Sequence, residues 1–124
     1  MKTMSEIYKE SLAAWGRGDV EGMSAPYAED IVWYPNRSMR PVRGKANMLA
    51  FMEKFGKGMT DMVYQQTLMI ESGNTLFVEG SESYTKNGKK VSVPYAGVTE
   101  FRDGKITAWR DYFDLKSLEA QLAG

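Results

Sequence analysis

Glu82 and Asp111 are the residues of this chain best suited to chemistry, because each falls on the otherwise apolar side of an alternating run. Successive side chains of a strand point to opposite faces, so each run divides into two sets. In the run Leu76 to Tyr84, one face carries Leu76, Val78, Gly80, Glu82 and Tyr84, and the other carries Phe77, Glu79, Ser81 and Ser83. In the last run Trp109, Asp111, Phe113 and Leu115 share a face opposite Arg110, Tyr112 and Asp114. An unpaired carboxylate on a buried face is costly, and its pKa climbs toward neutrality. Two such groups facing one space suit proton transfer, one as acid and the other as base. The plainer alternative is that each accepts hydrogen bonds from Tyr34, Tyr84 or Tyr95, or pairs with an arginine, only to satisfy the core.

Composition removes most other chemistries. The chain has no histidine and no cysteine, so a thiolate nucleophile, a disulfide and the usual metal ligands are all missing, and neither a metal nor a cofactor is expected. Basic and acidic residues number 16 each, leaving no net charge to attract nucleic acid. The opening MKTMSEIYKE lacks the apolar run of a signal peptide or membrane span, so the expectation is a soluble, cytoplasmic protein with no membrane partner. At 124 residues and 43% hydrophobic content, residues 1–124 are expected to form one domain around one core. Nine methionines suit irregular apolar walls, although most serve equally well as core filler.

The elements that must position the acids are set by periodicity. Ile7, Leu12 and Trp15 predict a first helix over about Ser5 to Arg17, with Ser5 as its cap and Gly16 and Gly18 as its stop. Asp19 caps a short second helix, Val20 to Ala28. Ile31 to Tyr34 reads as a strand, and Pro35, Pro41 and Gly44 make the next segment a loop. Met48, Leu49, Met52 and Phe55 predict a third helix from Lys45 to Lys57. The period then drops to two, with turn signals at Ser72-Gly73-Asn74, Asn87-Gly88 and Asp103-Gly104 separating four antiparallel runs. In the run Val91 to Phe101, Val93 and Tyr95 face the core. Three helices and then a long meander imply an α+β fold whose sheet curls around the helices. Phe77, Val98 and Tyr112 form an outer apolar patch that a second subunit could cover, while Glu79, Glu100, Arg102, Arg110 and Asp114 on that side are explained by solvation or by the same contact. Arg37, Arg40 and Arg43 flank the loop after the first strand and could guide an anionic group, or simply be solvated.

Three stretches resemble a known superfamily: Ala28-Glu29-Asp30 closing a short helix, Gly44 opening the third helix, and Asp103-Gly104-Lys105-Ile106 followed by Trp109-Arg110-Asp111-Tyr112-Phe113-Asp114-Leu115. Together they look like the nuclear transport factor 2-like fold, in its SnoaL-like and limonene-1,2-epoxide hydrolase-like branches. The resemblance implies a cone-shaped, strongly curved sheet wrapped around three N-terminal helices, a homodimer, and a pocket for a hydrophobic small molecule. In the epoxide hydrolases one acid protonates the epoxide, a second carboxylate activates water and an arginine bridges them. Asp111 matches the first acid through its Trp-Arg-Asp context and Glu82 falls on the second, while the arginine position is Gly80. The water-holding tyrosine and asparagine fall near Trp33 and near Pro35 or Asn36. The aspartate base of the ketosteroid isomerases falls near Pro35. Trp15, Phe55, Met59, Tyr64, Val93, Tyr95, Trp109 and Phe113 would line the cavity, with Trp33, Tyr34, Asn36 and Tyr84 as further ligand contacts. The resemblance leaves three functions open: an isomerase, cyclase or lyase using the two acids, an epoxide hydrolase with an altered triad, or a noncatalytic binding protein.

Overall fold

A computed structural model describes residues 1–124. The chain runs α1 (Met4–Gly16), α2 (Val20–Ser24), β1 (Tyr27–Tyr34), β2 (Val42–Arg43), α3 (Lys45–Gly56), β3 (Met59–Ser72), β4 (Thr75–Lys86), β5 (Lys89–Arg102), β6 (Lys105–Tyr112) and α4 (Leu115–Ala123). The six strands form one mixed sheet in the order β2-β1-β6-β5-β4-β3. Only β1 and β6 run parallel; every other neighbouring pair is antiparallel. Tyr8, Met23, Ile31, Met48, Leu76 and Ile106 are each at most 1% exposed, and they join the three N-terminal helices to the concave side of the sheet. Burying one such side chain contributes roughly 1.5–3 kcal/mol before entropic losses.

Local chemistry explains where the observed ends depart from the periodic reading. The cap of α1 is Thr3, not Ser5: its hydroxyl accepts from the Glu6 amide while Glu6 Oε1 accepts from the Thr3 amide at 2.8 Å. Only Thr3 has a glutamate three residues on, as a capping box requires. Ser5 instead donates its hydroxyl to Glu71 at 2.7 Å. Helix α2 stops at Ser24 rather than Ala28 because Pro26 has no amide N–H to continue the helical hydrogen bonds, and Tyr27 and Ala28 are buried strand residues.

A fourth helix goes beyond the periodic reading. Leu115, which the alternation extends from the last strand, instead opens α4. Asp114 is its cap, accepting from the Ser117 amide at 3.1 Å, and is therefore not merely an outward strand residue. Strand β6 pairs with β5 only from Ala96 onward, and α4 occupies the flank beyond. There Ser92 donates its amide to Gln121 Oε1 at 2.8 Å, and Gln121 Nε2 donates back to the Ser92 carbonyl at 3.1 Å. One side-chain amide thus stands in for a missing strand.

Two features of the sheet shape its inner face. Strand β3 carries register shifts at Thr60/Val63 and Gln66/Leu68, which bend it around the helices. At the second shift its backbone presses against β4, and a Cβ added to Gly80 would lie 2.0 Å from the Gln65 carbonyl oxygen. Gly97, opposite Asp111 in register, is less crowded: its Cβ would lie 3.3 Å from Asp111 Oδ1. Gly80→Ala is therefore expected to destabilise the fold by about 2–4 kcal/mol, and Gly97→Ala by clearly less, in urea unfolding monitored by circular dichroism. Equal stabilities of the two variants would contradict the close approach at Gly80.

Candidate active site

The inner face of the sheet, the helices and the loop after β1 enclose a cavity of about 330 Å³. Both acids face it, Glu82 from β4 and Asp111 from the end of β6. Their neighbours in register explain the space they occupy. Asp111 lies opposite Gly97, which contributes no side chain, and Glu82 lies between Tyr64 of β3 and Val93 of β5. Each acid keeps some accessible surface, but both border the cavity and are otherwise enclosed.

The two carboxylates have unequal hydrogen bonding. Asp111 accepts from the Trp109 indole at 3.1 Å and from the Trp33 indole at 3.5 Å, one donor on each oxygen. Neither donor carries charge. Burial pushes Glu82 up from 4.5 to about 7. Burial, then the nearby Glu82 charge, pushes Asp111 from 3.8 to about 7 against the pull of the two indoles. The phenols around them are also raised by burial, Tyr84 to about 12, so they stay neutral at physiological pH. Tyr8 and Tyr95 share a hydrogen bond of 2.8 Å, and Tyr64 accepts from the Trp15 indole at 3.1 Å. The Tyr84 hydroxyl is buried with no protein partner.

The fold brings most of the expected contacts onto one wall system. Trp15, Trp33, Phe55, Met59, Tyr64 and Tyr84 line the cavity, as do Tyr95, Trp109 and Phe113. Three residues do not. Val93 is 1% exposed and packs instead in a small cluster with Val91, Tyr84 and Leu118. Tyr34 lies under the Arg37 guanidinium at 4.5 Å, away from the lining. Asn36 is buried as a loop brace, donating to the Phe113 carbonyl at 2.8 Å and accepting from the Ser38 amide at 2.9 Å. That brace, with the Arg37 amide donating to the Asp111 carbonyl at 2.7 Å, sets Pro35 and Met39 at the cavity rim. Arg37, Arg40 and Arg43 are exposed and none lines the cavity.

Other wall residues go beyond the sequence expectation. Tyr8 and Leu12 share the inward face of α1 with Trp15, a spacing of four and three that the sequence does carry. Leu115, Leu118 and Leu122 of α4 close one side, and Asp114 ahead of those leucines is itself a capped helical pattern. Glu119, also on α4, adds a third carboxylate beside the exposed edge of the lining.

Comparison with known proteins agrees with this architecture. An NTF2-like protein of unknown function from Burkholderia pseudomallei matches over 100% of both chains at 24% identity and a TM-score of 0.86. An LEH-like epoxide hydrolase from M. tuberculosis is also 24% identical, with a TM-score of 0.80 over 94% of this chain and 90% of its own. A polyketide cyclase candidate from Pseudomonas putida matches 98% of each chain at 24% identity and a TM-score of 0.81. At these identities the likeness establishes a shared fold and leaves the reaction open. The family model of the SnoaL-like domain matches residues 8–109, from the tyrosine that roofs the cavity to the tryptophan that holds Asp111, and this chain therefore belongs to the SnoaL-like family.

Proposed function

We propose that this chain is a cofactor-independent acid-base enzyme that moves a proton on a hydrophobic cyclic or aromatic small molecule, in an isomerisation, cyclisation or elimination. The observation that carries this reading is a pair of carboxylates facing one aromatic cavity, both with pKa values near 7. Two titrating groups that repel one another share a single proton near neutrality. Burial and the nearby Glu82 charge raise Asp111 while its two indole donors lower it, so between them the pair supplies one acid and one base. Apolar walls hold the substrate against both and exclude the water that would level their pKa values.

Epoxide hydrolysis with an arginine-bridged triad is less well supported. The position of the bridge is Gly80, where the Gln65 carbonyl leaves no room for a side chain, and no arginine lines the cavity. A noncatalytic binding role would need neither acid to titrate near neutrality.

The reading is tested by hydrogen exchange at a carbon acid. With 2-tetralone in deuterated water as probe, the protein is expected to speed exchange at the α-carbon, with Glu82→Gln and Asp111→Asn each slowing it about 10²- to 10⁴-fold. Wild-type rates from either folded variant would remove that residue from the mechanism.

The same groups make stability depend on pH. The folded chain binds protons on Glu82 and Asp111 up to about pH 7, whereas the unfolded chain releases them near 4.5 and 3.8. Between these values the folded state holds more protons, so its stability falls as pH rises through 7 and levels off above. Glu82→Gln is expected to stabilise the fold by about 2–4 kcal/mol at pH 8 and to change it little at pH 4, while Asp111→Asn gains less because its amide offers one acceptor to two indoles. Thermal melts at the two pH values check this; loss of stability at pH 8 would mean that the acids support the core rather than strain it.

The reading includes a homodimer. Ile70, Phe77 and Val98 lie in register across β3, β4 and β5 on the outer face, with Leu68 and Tyr112 beside them. Leu68 is 52%, Ile70 51%, Phe77 44% and Tyr112 42% exposed, an apolar patch that a second copy would cover. Sedimentation is expected to show a dimer that Phe77→Asp dissociates; a wild-type monomer would refute it.

A further inference from the structure

Every charged residue lining the cavity is an acid: Glu82, Asp111 and, beside the exposed edge, Glu119. No lysine or arginine faces it from the helices, from β1 and β3 to β6, or from the loop at Pro35–Met39. Cations on the flanking segments are engaged elsewhere. Lys86 lies over the Phe55 ring at 4.2 Å without joining the wall, and Arg37 lies over Tyr34. The groups around the two acids are the phenols Tyr8, Tyr27, Tyr64, Tyr84 and Tyr95, from α1, β1, β3, β4 and β5, all held neutral by burial. Asp111 has only two uncharged indole donors, and Glu82 has none from the protein. The remaining walls hold six further aromatic rings, including all three tryptophans of the chain, among methionine, leucine and proline side chains.

A buried carboxylate pair is normally balanced by a cation. Here the protein supplies none, while it does supply ring faces, whose negative quadrupoles attract a desolvated cation. A neutral ligand would use the rings and leave the charge deficit untouched. A ligand with a positive nitrogen would use both.

We infer that the cavity takes an organic cation, an alkylated or cyclic amine carried on an apolar or aromatic body, with its nitrogen between Glu82 and Asp111 and against the tryptophan rings. This rests on the same pocket as the acid-base reading and narrows its substrate class. A positive nitrogen beside the reacting carbon would also acidify the proton to be moved, which matches bases that titrate near 7.

The test uses two molecules of the same shape that differ by one charge: benzyltrimethylammonium, a permanent cation, and neopentylbenzene, its neutral carbon counterpart. Binding to the full chain is monitored by tryptophan fluorescence, since all three tryptophans border the site. The cation is expected to bind at least about tenfold more tightly than the hydrocarbon at pH 8.5, where both acids are ionised. Its affinity should fall about tenfold or more by pH 5.5, where both are protonated, while the hydrocarbon's stays within about twofold. Glu82→Gln with Asp111→Asn should abolish the preference for charge and keep hydrocarbon binding, and Glu82→Asp should retain the preference. Hydrocarbon binding equal to or tighter than the cation's at pH 8.5 would overturn the inference while leaving an acid-base enzyme for neutral substrates standing. Binding of neither molecule by a folded wild-type chain would overturn it together with the apolar pocket as a ligand site.

Discussion

Keeping two carboxylates out of water without a cation is the constraint on which this structure turns. In most folded proteins a buried acid is paired or held by several donors, because an unpaired charge in an apolar surround is destabilising. Here burial pushes both acids to about 7, and two indoles are the only donors to either. The rest of the fold must offset that strain. It does so with a core of large side chains, from Tyr8 and Met23 on the helices to Leu76 and Ile106 on the sheet, packed tightly enough to hold the acids where water cannot reach them freely.

Several features that look incidental serve that constraint. Gly97 faces Asp111, and the absence of a side chain there leaves room beside the carboxylate. Asn36 binds the Phe113 carbonyl just past β6, which ties the loop that rims the cavity to the strand that carries Asp111. Gln121 joins α4 to the open flank of β5, which seats Leu115, Leu118 and Leu122 over one side of the cavity. No helix is long and apolar enough to cross a membrane, and the apolar surface of the helices is turned inward to this cavity and core.

Most of the architecture is legible because it rests on local periodicity. The helical spacing at Met48, Leu49, Met52 and Phe55 and the turn pairs Asn87-Gly88 and Asp103-Gly104 place α3 and the hairpins close to where they occur, since positive φ at Asn87, Gly88, Asp103 and Gly104 is a property of the turns themselves. Sequence and structure part where two local signals compete. Leu115 continues an alternating face and also begins a helix, and the Asp114 cap decides for the helix. Tyr27 continues a helical spacing, but Pro26 ends the helix before it. Val93 alternates inward like Tyr95 yet meets Val91 and Leu118 rather than the cavity, because alternation assigns a face and says nothing about what covers it.

The sequence by itself determined that Glu82 and Asp111 point inward, because the face of a strand residue is set by counting along the backbone. It also determined that any proton chemistry must run without histidine or thiolate. Only the tertiary structure decided that both acids meet one cavity, that α4 supplies a wall for it, and that no cation joins them. Those facts depend on how far the sheet curls and on where the bulges of β3 press against Gly80. Curvature is summed over residues distant in the chain, so no single stretch of sequence contains it.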